Sequence, residues 1–167
     1  MSALQGRSSV VYGSSQAGVI DESSRRSLRL TPSDETVELI AGRLRACMDQ
    51  VARHFSVVVS EYEDPQFLRY QKGDFFVAHQ DGNTGLLRLD TERRLVSIVI
   101  FLTREAESPE EDGVYCGGSL VFTNLRDSTK SRVRAEPGTL IAFRSETTHE
   151  VTPVTHGERY SIVSWYR

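Results

Sequence analysis

His79-Gln80-Asp81 sets an imidazole and a carboxylate two residues apart. On an extended strand, residues i and i+2 share a face, so both side chains can turn toward one ion. Nitrogen plus carboxylate oxygen suits borderline divalent metals such as Fe(II), Mn(II) or Zn(II). His149 follows the short polar stretch Arg144–Thr148 and opens another strand-like run, where it can supply a third ligand. Two histidines and one carboxylate make a facial set that leaves coordination positions open. Taken singly, each piece is ordinary, since an isolated H-x-D or a lone histidine is more often a polar strand-end residue. Arg159 heads the final run Arg159–Tyr166, on which Arg159, Ser161, Val163 and Trp165 share a face. A guanidinium at the head of a packed strand is costly to bury alone. A bidentate anionic ligand would satisfy it, and so would a protein acid such as Glu150 or Glu158.

These residues need a scaffold, and the pattern supplies strands. From residue 56 onward short β-branched and aromatic runs alternate with turn residues. The expected strands are Ser56–Glu63, Phe67–Tyr70, Asp74–His79, Leu95–Thr103, Ser119–Thr123, Arg132–Ala135, Thr139–Phe143, Glu150–Val154 and Arg159–Tyr166. Pro137-Gly138 reads as a type II turn and Gly117-Gly118 as a turn or bulge. Upstream, Thr31 is expected to cap a helix with Pro32 in its first turn. Val37, Ile40, Leu44, Met48, Val51 and Phe55 then recur at helical spacing, giving one amphipathic helix over about 32–55. Residues 1–30 read as an extended segment with an edge strand at Ser9–Tyr12, and residues 31–167 as the catalytic domain. One helix followed by many short strands predicts a mainly β fold, a helix-backed antiparallel sandwich or jelly roll.

The stretches Arg69–Asp81, Gly117–Phe122, His149–Val151 and Arg159–Tyr166 resemble the prolyl 4-hydroxylase branch of the 2-oxoglutarate/Fe(II)-dependent dioxygenases, from about Phe67 to the C-terminus. The resemblance implies a double-stranded β-helix (jelly roll, cupin-like) with a supporting N-terminal helix. It implies that His79, Asp81 and His149 are the iron ligands and that Arg159 pairs with the C5 carboxylate of 2-oxoglutarate. Tyr70 matches a tyrosine whose hydroxyl contacts the cosubstrate, and Val99, Phe101, Leu120, Val163 and Trp165 match positions that line its pocket. Phe101 stands where the oxygen-sensing members carry a tyrosine, so that hydroxyl must come from elsewhere, with Thr139 a candidate. Arg94 falls where some relatives contact substrate, although a solvated charge is the plainer reading. Fe(II), 2-oxoglutarate and O2 are the implied cofactor and cosubstrates, with ascorbate an additional cofactor that the resemblance allows. Asp81 favours hydroxylation, because related halogenases lack this carboxylate. The loop Gly82–Arg94 matches one that folds over the substrate.

The expected substrate is a prolyl residue in a peptide or protein, with a free amino acid or small metabolite as the alternative. Two other readings use the same ligands: zinc-dependent hydrolysis, which leaves Arg159 and Tyr70 without a role, and a non-catalytic cupin-like module that binds a metal or diacid. A net charge of -3 argues against nucleic acid as a partner. No apolar run approaches the roughly 20 residues that cross a bilayer, and no signal peptide is evident, so a cytoplasmic, membrane-free setting is expected. Cys47 and Cys116 are expected to be reduced, and the acidic run Glu105–Asp112 to be a solvated turn. The oligomeric state is not legible.

Overall fold

The computed structural model describes residues 6–8, 11–13, 16–19, 23–82, 90–110 and 112–167. Along the chain come β1 (Gly6–Ser8), β2 (Val11–Gly13), β3 (Gln16–Val19), β4 (Arg25–Arg26), β5 (Leu28–Leu30), α1 (Asp34–Phe55), β6 (Gln66–Tyr70) and β7 (Phe75–His79). After them follow β8 (Val96–Phe101), β9 (Arg104–Glu105), β10 (Val114–Gly117), β11 (Leu120–Thr123) and β12 (Lys130–Val133). The last four are β13 (Leu140–Arg144), β14 (His149–Val151), β15 (Val154–His156) and β16 (Arg159–Tyr166). Half of the expected edge strand Ser9–Tyr12, and residues 83–89 of the expected lid, lie outside the described residues.

Two sheets carry the site. The larger has the order β1-β5-β6-β16-β8-β13, and the smaller β12-β11-β14-β7-β4. Every pairing within these two sheets is antiparallel. The result is the mainly β jelly roll with a supporting helix that the alternating pattern calls for.

Period-two alternation divides the labour of β16 and β8. Ile98, Ile100, Ile162 and Tyr166 pack with Leu44 and Val51 of α1 in one apolar cluster. Val99, Phe101 and Val163 belong instead to a second cluster, with Leu120 and Phe143. A fully buried leucine contributes roughly 1.5–3 kcal/mol, so Leu44, with no exposed surface, is a main fastener of helix to sheet. Tyr166 adds a hydrogen bond, its hydroxyl donating to the Leu44 carbonyl at 2.7 Å.

The helix starts later than expected. Ser33, not Thr31, is the cap, its hydroxyl accepting from the Thr36 amide, and Asp34 and Glu35 occupy the first turn. The expected strand Ser56–Glu63 is also not formed. That segment runs beside the chain terminus through single contacts, a bridge from Tyr62 to Tyr166 and hydrogen bonds between Glu61 and Arg167. The Pro137-Gly138 turn is type II as expected: Gly138 has φ +81°, and the Thr139 amide donates to the Glu136 carbonyl at 3.1 Å. Both cysteines are free thiols. Among the described residues no helix is long and apolar enough to cross a membrane.

Candidate active site

The smaller sheet brings two of the sequence-predicted histidines face to face. His149 is paired with His79 in the β14–β7 register, and their ring centroids lie 4.2 Å apart. Asp81 falls just beyond the end of β7. Its amide donates to the Ser145 carbonyl at 2.9 Å, and the Gln80 side-chain amide donates to the Glu146 carbonyl at 2.7 Å. The turn after β13 thus fixes a carboxylate that strand pleating alone would leave loose. One ligating atom from each of His79, Asp81 and His149 lies within 4.8 Å of the others.

The ring orientations are set by backbone oxygens. His79 Nδ1 lies 2.8 Å from the Val77 carbonyl and His149 Nδ1 lies 2.9 Å from the Thr147 carbonyl. A carbonyl only accepts, so Nδ1 carries the proton in each ring and Nε2 presents its lone pair. Both Nε2 atoms face Asp81, at 3.4 Å and 3.5 Å from its two carboxylate oxygens. Carbonyl-held imidazoles around a carboxylate are the support that metal ligands usually have. Burial pushes the His149 imidazole below its ordinary range, which keeps the ring neutral and available. Burial pushes the Asp81 carboxyl up, but the two imidazoles and the Ser97 hydroxyl outweigh it and hold the group below the usual carboxylate range. Phe76 stacks on His79 with centroids 3.6 Å apart, and Phe143 meets His149 edge-on at 4.7 Å.

These three side chains line a cavity of about 140 Å3, which Arg159 also lines. Arg159 is 2 % exposed. Its Nη1 donates to Ser161 Oγ at 2.8 Å and its Nε has no partner. Its guanidinium stands 5.0 Å from the Tyr70 ring and 5.6 Å from the Phe101 ring. Neither expected acid reaches it. Glu150 pairs with Lys130, and Glu158 is engaged by Arg69 and by the Tyr160 hydroxyl. Among the described residues no carboxylate answers this buried cation. That is the donor set a diacid chelating a metal at the triad would fit, because its far carboxylate would meet the guanidinium.

Of the other expected pocket residues, Tyr70, Val99, Leu120, Val163 and Trp165 line the cavity. Phe101 does not, and lies under the guanidinium instead. Thr139 does not line it either. The hydroxyl beside Arg159 comes from Tyr115, which sequence reasoning missed and which, like Phe101, stands against the guanidinium without lining the cavity. Tyr115 is fully buried, its hydroxyl has no hydrogen-bond partner of good geometry, and its neighbours include the Arg159 charge. Gly118 permits this approach. With φ +58°, a Cβ there would stand 3.2 Å from Tyr115 Cε2 and 3.3 Å from Arg159 Cδ. The expected bulge at Gly117-Gly118 does occur, between Cys116 and Gly117, and that pair of glycines was the available signal.

Two further expectations need correction. Arg94 is not a solvated charge. It is buried, bonded to both oxygens of Glu63 at 2.7 and 2.6 Å, and stacked 3.6 Å from the Trp165 ring centroid. It also lines the cavity. The acidic run is not wholly solvated. Glu105 is buried and is held by the Ser119 hydroxyl and by Arg132 at 2.9 Å, whereas Glu107 is exposed.

Residues 65–167 match the family model of the 2OG-Fe(II) oxygenase superfamily. The chain belongs to that superfamily. A PKHD-type hydroxylase of Shewanella oneidensis is 30% identical over 164 residues, which cover 93% of this chain and 66% of that protein. One from Burkholderia cenocepacia is 31% identical over 162 residues with the same coverage. The chain thus spans 66% of the length of these curated relatives. Among solved structures, a Pseudomonas putida prolyl-4-hydroxylase superposes with a TM-score of 0.60 at 27% identity, covering 87% of this chain and 74% of that one. The viral collagen prolyl hydroxylase of Paramecium Bursaria Chlorella virus-1 superposes at 0.61 and 22% identity, covering 86% and 79%, and so shares the fold.

Proposed function

We propose that this superfamily member is a 2-oxoglutarate- and Fe(II)-dependent dioxygenase that hydroxylates an unactivated C–H bond of a prolyl residue in a peptide or protein. In this reading His79, Asp81 and His149 hold the iron, and Arg159 pairs with the distal carboxylate of 2-oxoglutarate. One observation carries it: a fully buried guanidinium, paired with no carboxylate among the described residues, lines the same cavity as a His/Asp/His donor set. A zinc hydrolase has no use for that cation. The prolyl substrate is suggested by the structural relative at 27% identity, a prolyl-4-hydroxylase, while the 30% relative supports a hydroxylase. Residues 31–167 then form the catalytic unit, with β4 and β5 pairing onto β7 and β6 from the preceding segment.

When bound, iron with 2-oxoglutarate and O2 supplies the oxidant, giving succinate, CO2 and one oxygen atom for the substrate C–H. The chain's own residues position and shield. Ser97 and the two histidine-anchoring carbonyls fix the ligand geometry before metal arrives. Arg159, with Ser161 beside it, neutralises and orients the cosubstrate. Leu68, Val99, Leu120, Val151 and Val163 give the cavity a dry wall that excludes water. No side chain is needed as a general base.

Anaerobic addition of Fe(II) and 2-oxoglutarate is expected to give a weak visible charge-transfer band. Admitting oxygen with proline-containing peptides should release succinate and add the mass of one oxygen to the peptide. Absence of both band and succinate refutes the reading. Oxidation of free amino acids but of no peptide would move the substrate to the small-molecule class.

A further inference from the structure

Arg25 is a third buried guanidinium on the same cavity, after Arg159 and Arg94, in a segment that precedes the matched family region. It belongs to β4, which pairs with β7 so that Arg25 lies opposite Phe76. Its guanidinium carbon stands 4.7 Å from the Phe76 ring centroid, and Phe76 in turn stacks on His79. One aromatic ring therefore spans from this cation to a proposed metal ligand. Arg25 is 8 % exposed. Its Nε donates to Ser27 Oγ at 3.0 Å, which leaves the two terminal nitrogens. Among the described residues no carboxylate pairs with it. Arg94, which also lines the cavity, differs, being matched by Glu63.

Charge accounting singles Arg25 out, given the function proposed above. A divalent iron and the Arg159 cation are balanced by the Asp81 carboxylate and a dianionic cosubstrate. Arg94 is balanced by Glu63. The Arg25 charge is left over in a largely apolar, buried setting, and a buried charge is tolerated when something pairs with it. Arg25 contacts Ser27 and Phe76, whereas Arg159 contacts Ser161, Tyr70 and Phe101. Arg25 comes from the smaller sheet and Arg159 from the larger, so the two cations line the cavity from different sheets, and each can hold its own anion.

We propose that Arg25 anchors a carboxylate of the substrate itself, so that the hydroxylated residue carries an acid group beside it. This rests on the dioxygenase reading. The carboxylate has two sources, a free α-carboxylate on the proline or an acidic side chain following an internal proline.

The test compares matched acid and amide probes on the Fe(II)- and 2-oxoglutarate-loaded protein without oxygen. One pair is N-acetyl-L-proline and N-acetyl-L-prolinamide. The other is the capped tripeptides acetyl-Ala-Pro-Glu-amide and acetyl-Ala-Pro-Gln-amide. Trp165, the chain's one tryptophan, lines the cavity, and its fluorescence reports occupancy independently of turnover. In the wild type the acid member of one pair is expected to bind about tenfold more tightly than its amide. Arg25→Gln should bring that ratio close to one, and Arg25→Lys should restore part of it. Arg26→Gln changes the exposed neighbour and should leave the ratio intact. Which pair discriminates identifies the source of the carboxylate.

Equal binding of acid and amide by the wild type in both pairs overturns the proposal, whatever the variants do. A preference that survives in Arg25→Gln overturns it as well. Failure of 2-oxoglutarate to bind, measured separately by calorimetry, overturns the dioxygenase reading and this proposal together. Normal 2-oxoglutarate binding with no acid preference overturns the Arg25 assignment alone.

Discussion

Ser97 Oγ donates a 2.7 Å hydrogen bond to Asp81 Oδ2, the carboxylate oxygen that faces the His149 ring. Ser97 is itself 3.0 Å from Ser145 Oγ, on the turn whose carbonyl holds the Asp81 amide. The carboxylate is therefore gripped at backbone and side chain by neighbouring strands before any ion is present. Removing such an outer partner typically costs about 10–100-fold in metal affinity. Ser97→Ala is expected to weaken Fe(II) or Mn(II) binding by about tenfold, read by metal titration, and His149→Ala to abolish the anaerobic band. An unchanged metal affinity in Ser97→Ala would remove this serine from the site.

Tyr115 and Arg159 should act on the cosubstrate and leave the metal alone. Burial, with the Glu105 carboxylate adding to it and Arg159 opposing it, pushes the Tyr115 hydroxyl up to about 12. It is therefore a neutral donor at any working pH. A hydrogen bond to a charged group contributes about 1.5–3 kcal/mol. Tyr115→Phe is expected to raise the 2-oxoglutarate dissociation constant by about tenfold or more, and Arg159→Ala by a larger factor. Direct 2-oxoglutarate titration checks both, and strong loss of iron affinity in either variant would contradict the assignment.

Arg94 and Glu63 predict a stability effect of a different kind. Their side chains are 10% and 17% exposed, and the contact is bidentate. Removing one partner of such a pair costs roughly 3–5 kcal/mol, because the other charge is left buried. Arg94→Gln should lower Tm by on the order of 10 °C at about 2–4 °C per kcal/mol. The double change Arg94→Met with Glu63→Leu should recover most of that loss in thermal melts followed by circular dichroism. A single variant as stable as the wild type would show the pair to be incidental.

The metal-free protein should be acid-sensitive through His149. Its imidazole lies below the ordinary 6.5 in the folded state because it is buried. Below 6.5 the unfolded chain takes up that proton first, so it binds more protons than the folded form and stability falls with pH. The loss begins as pH drops through 6.5 and ends at the lower folded value. Its slope is at most about 1.4 kcal/mol per pH unit for one proton. Denaturant melts from pH 7.5 to 5.5 should show it, and His149→Gln should flatten it. A profile equally steep in His149→Gln would place the sensitivity elsewhere.

The residues that chemistry and alternation mark directly were legible in the sequence. His79, Asp81 and His149 converge, and Arg159 lines their cavity because β16 follows strict two-residue alternation over its whole length. What escaped depends on register between distant strands. Tyr115 meets Arg159 only because Gly118 lets the chain fold back with nothing in the gap. Ser97 reaches Asp81 only because β8 runs beside the turn after β13. The Glu63–Arg94 pair joins a segment expected to be a strand to the end of a loop, and neither end announces its partner. Arg25 sits in a weakly patterned stretch that reads only as extended, and its pairing with β7 is what brings it to the cavity.

Gly118 has one more consequence. Because the space a methyl group would need there is already filled by Val154, Tyr115 and Arg159, its substitution would strike the cavity from behind, through a position that lines none of it. A search for lost-function variants confined to residues touching the ligand would miss it. Sites of this type, defined by an atom that must never be added, tie a binding pocket's tolerance to backbone positions on the far side of its wall.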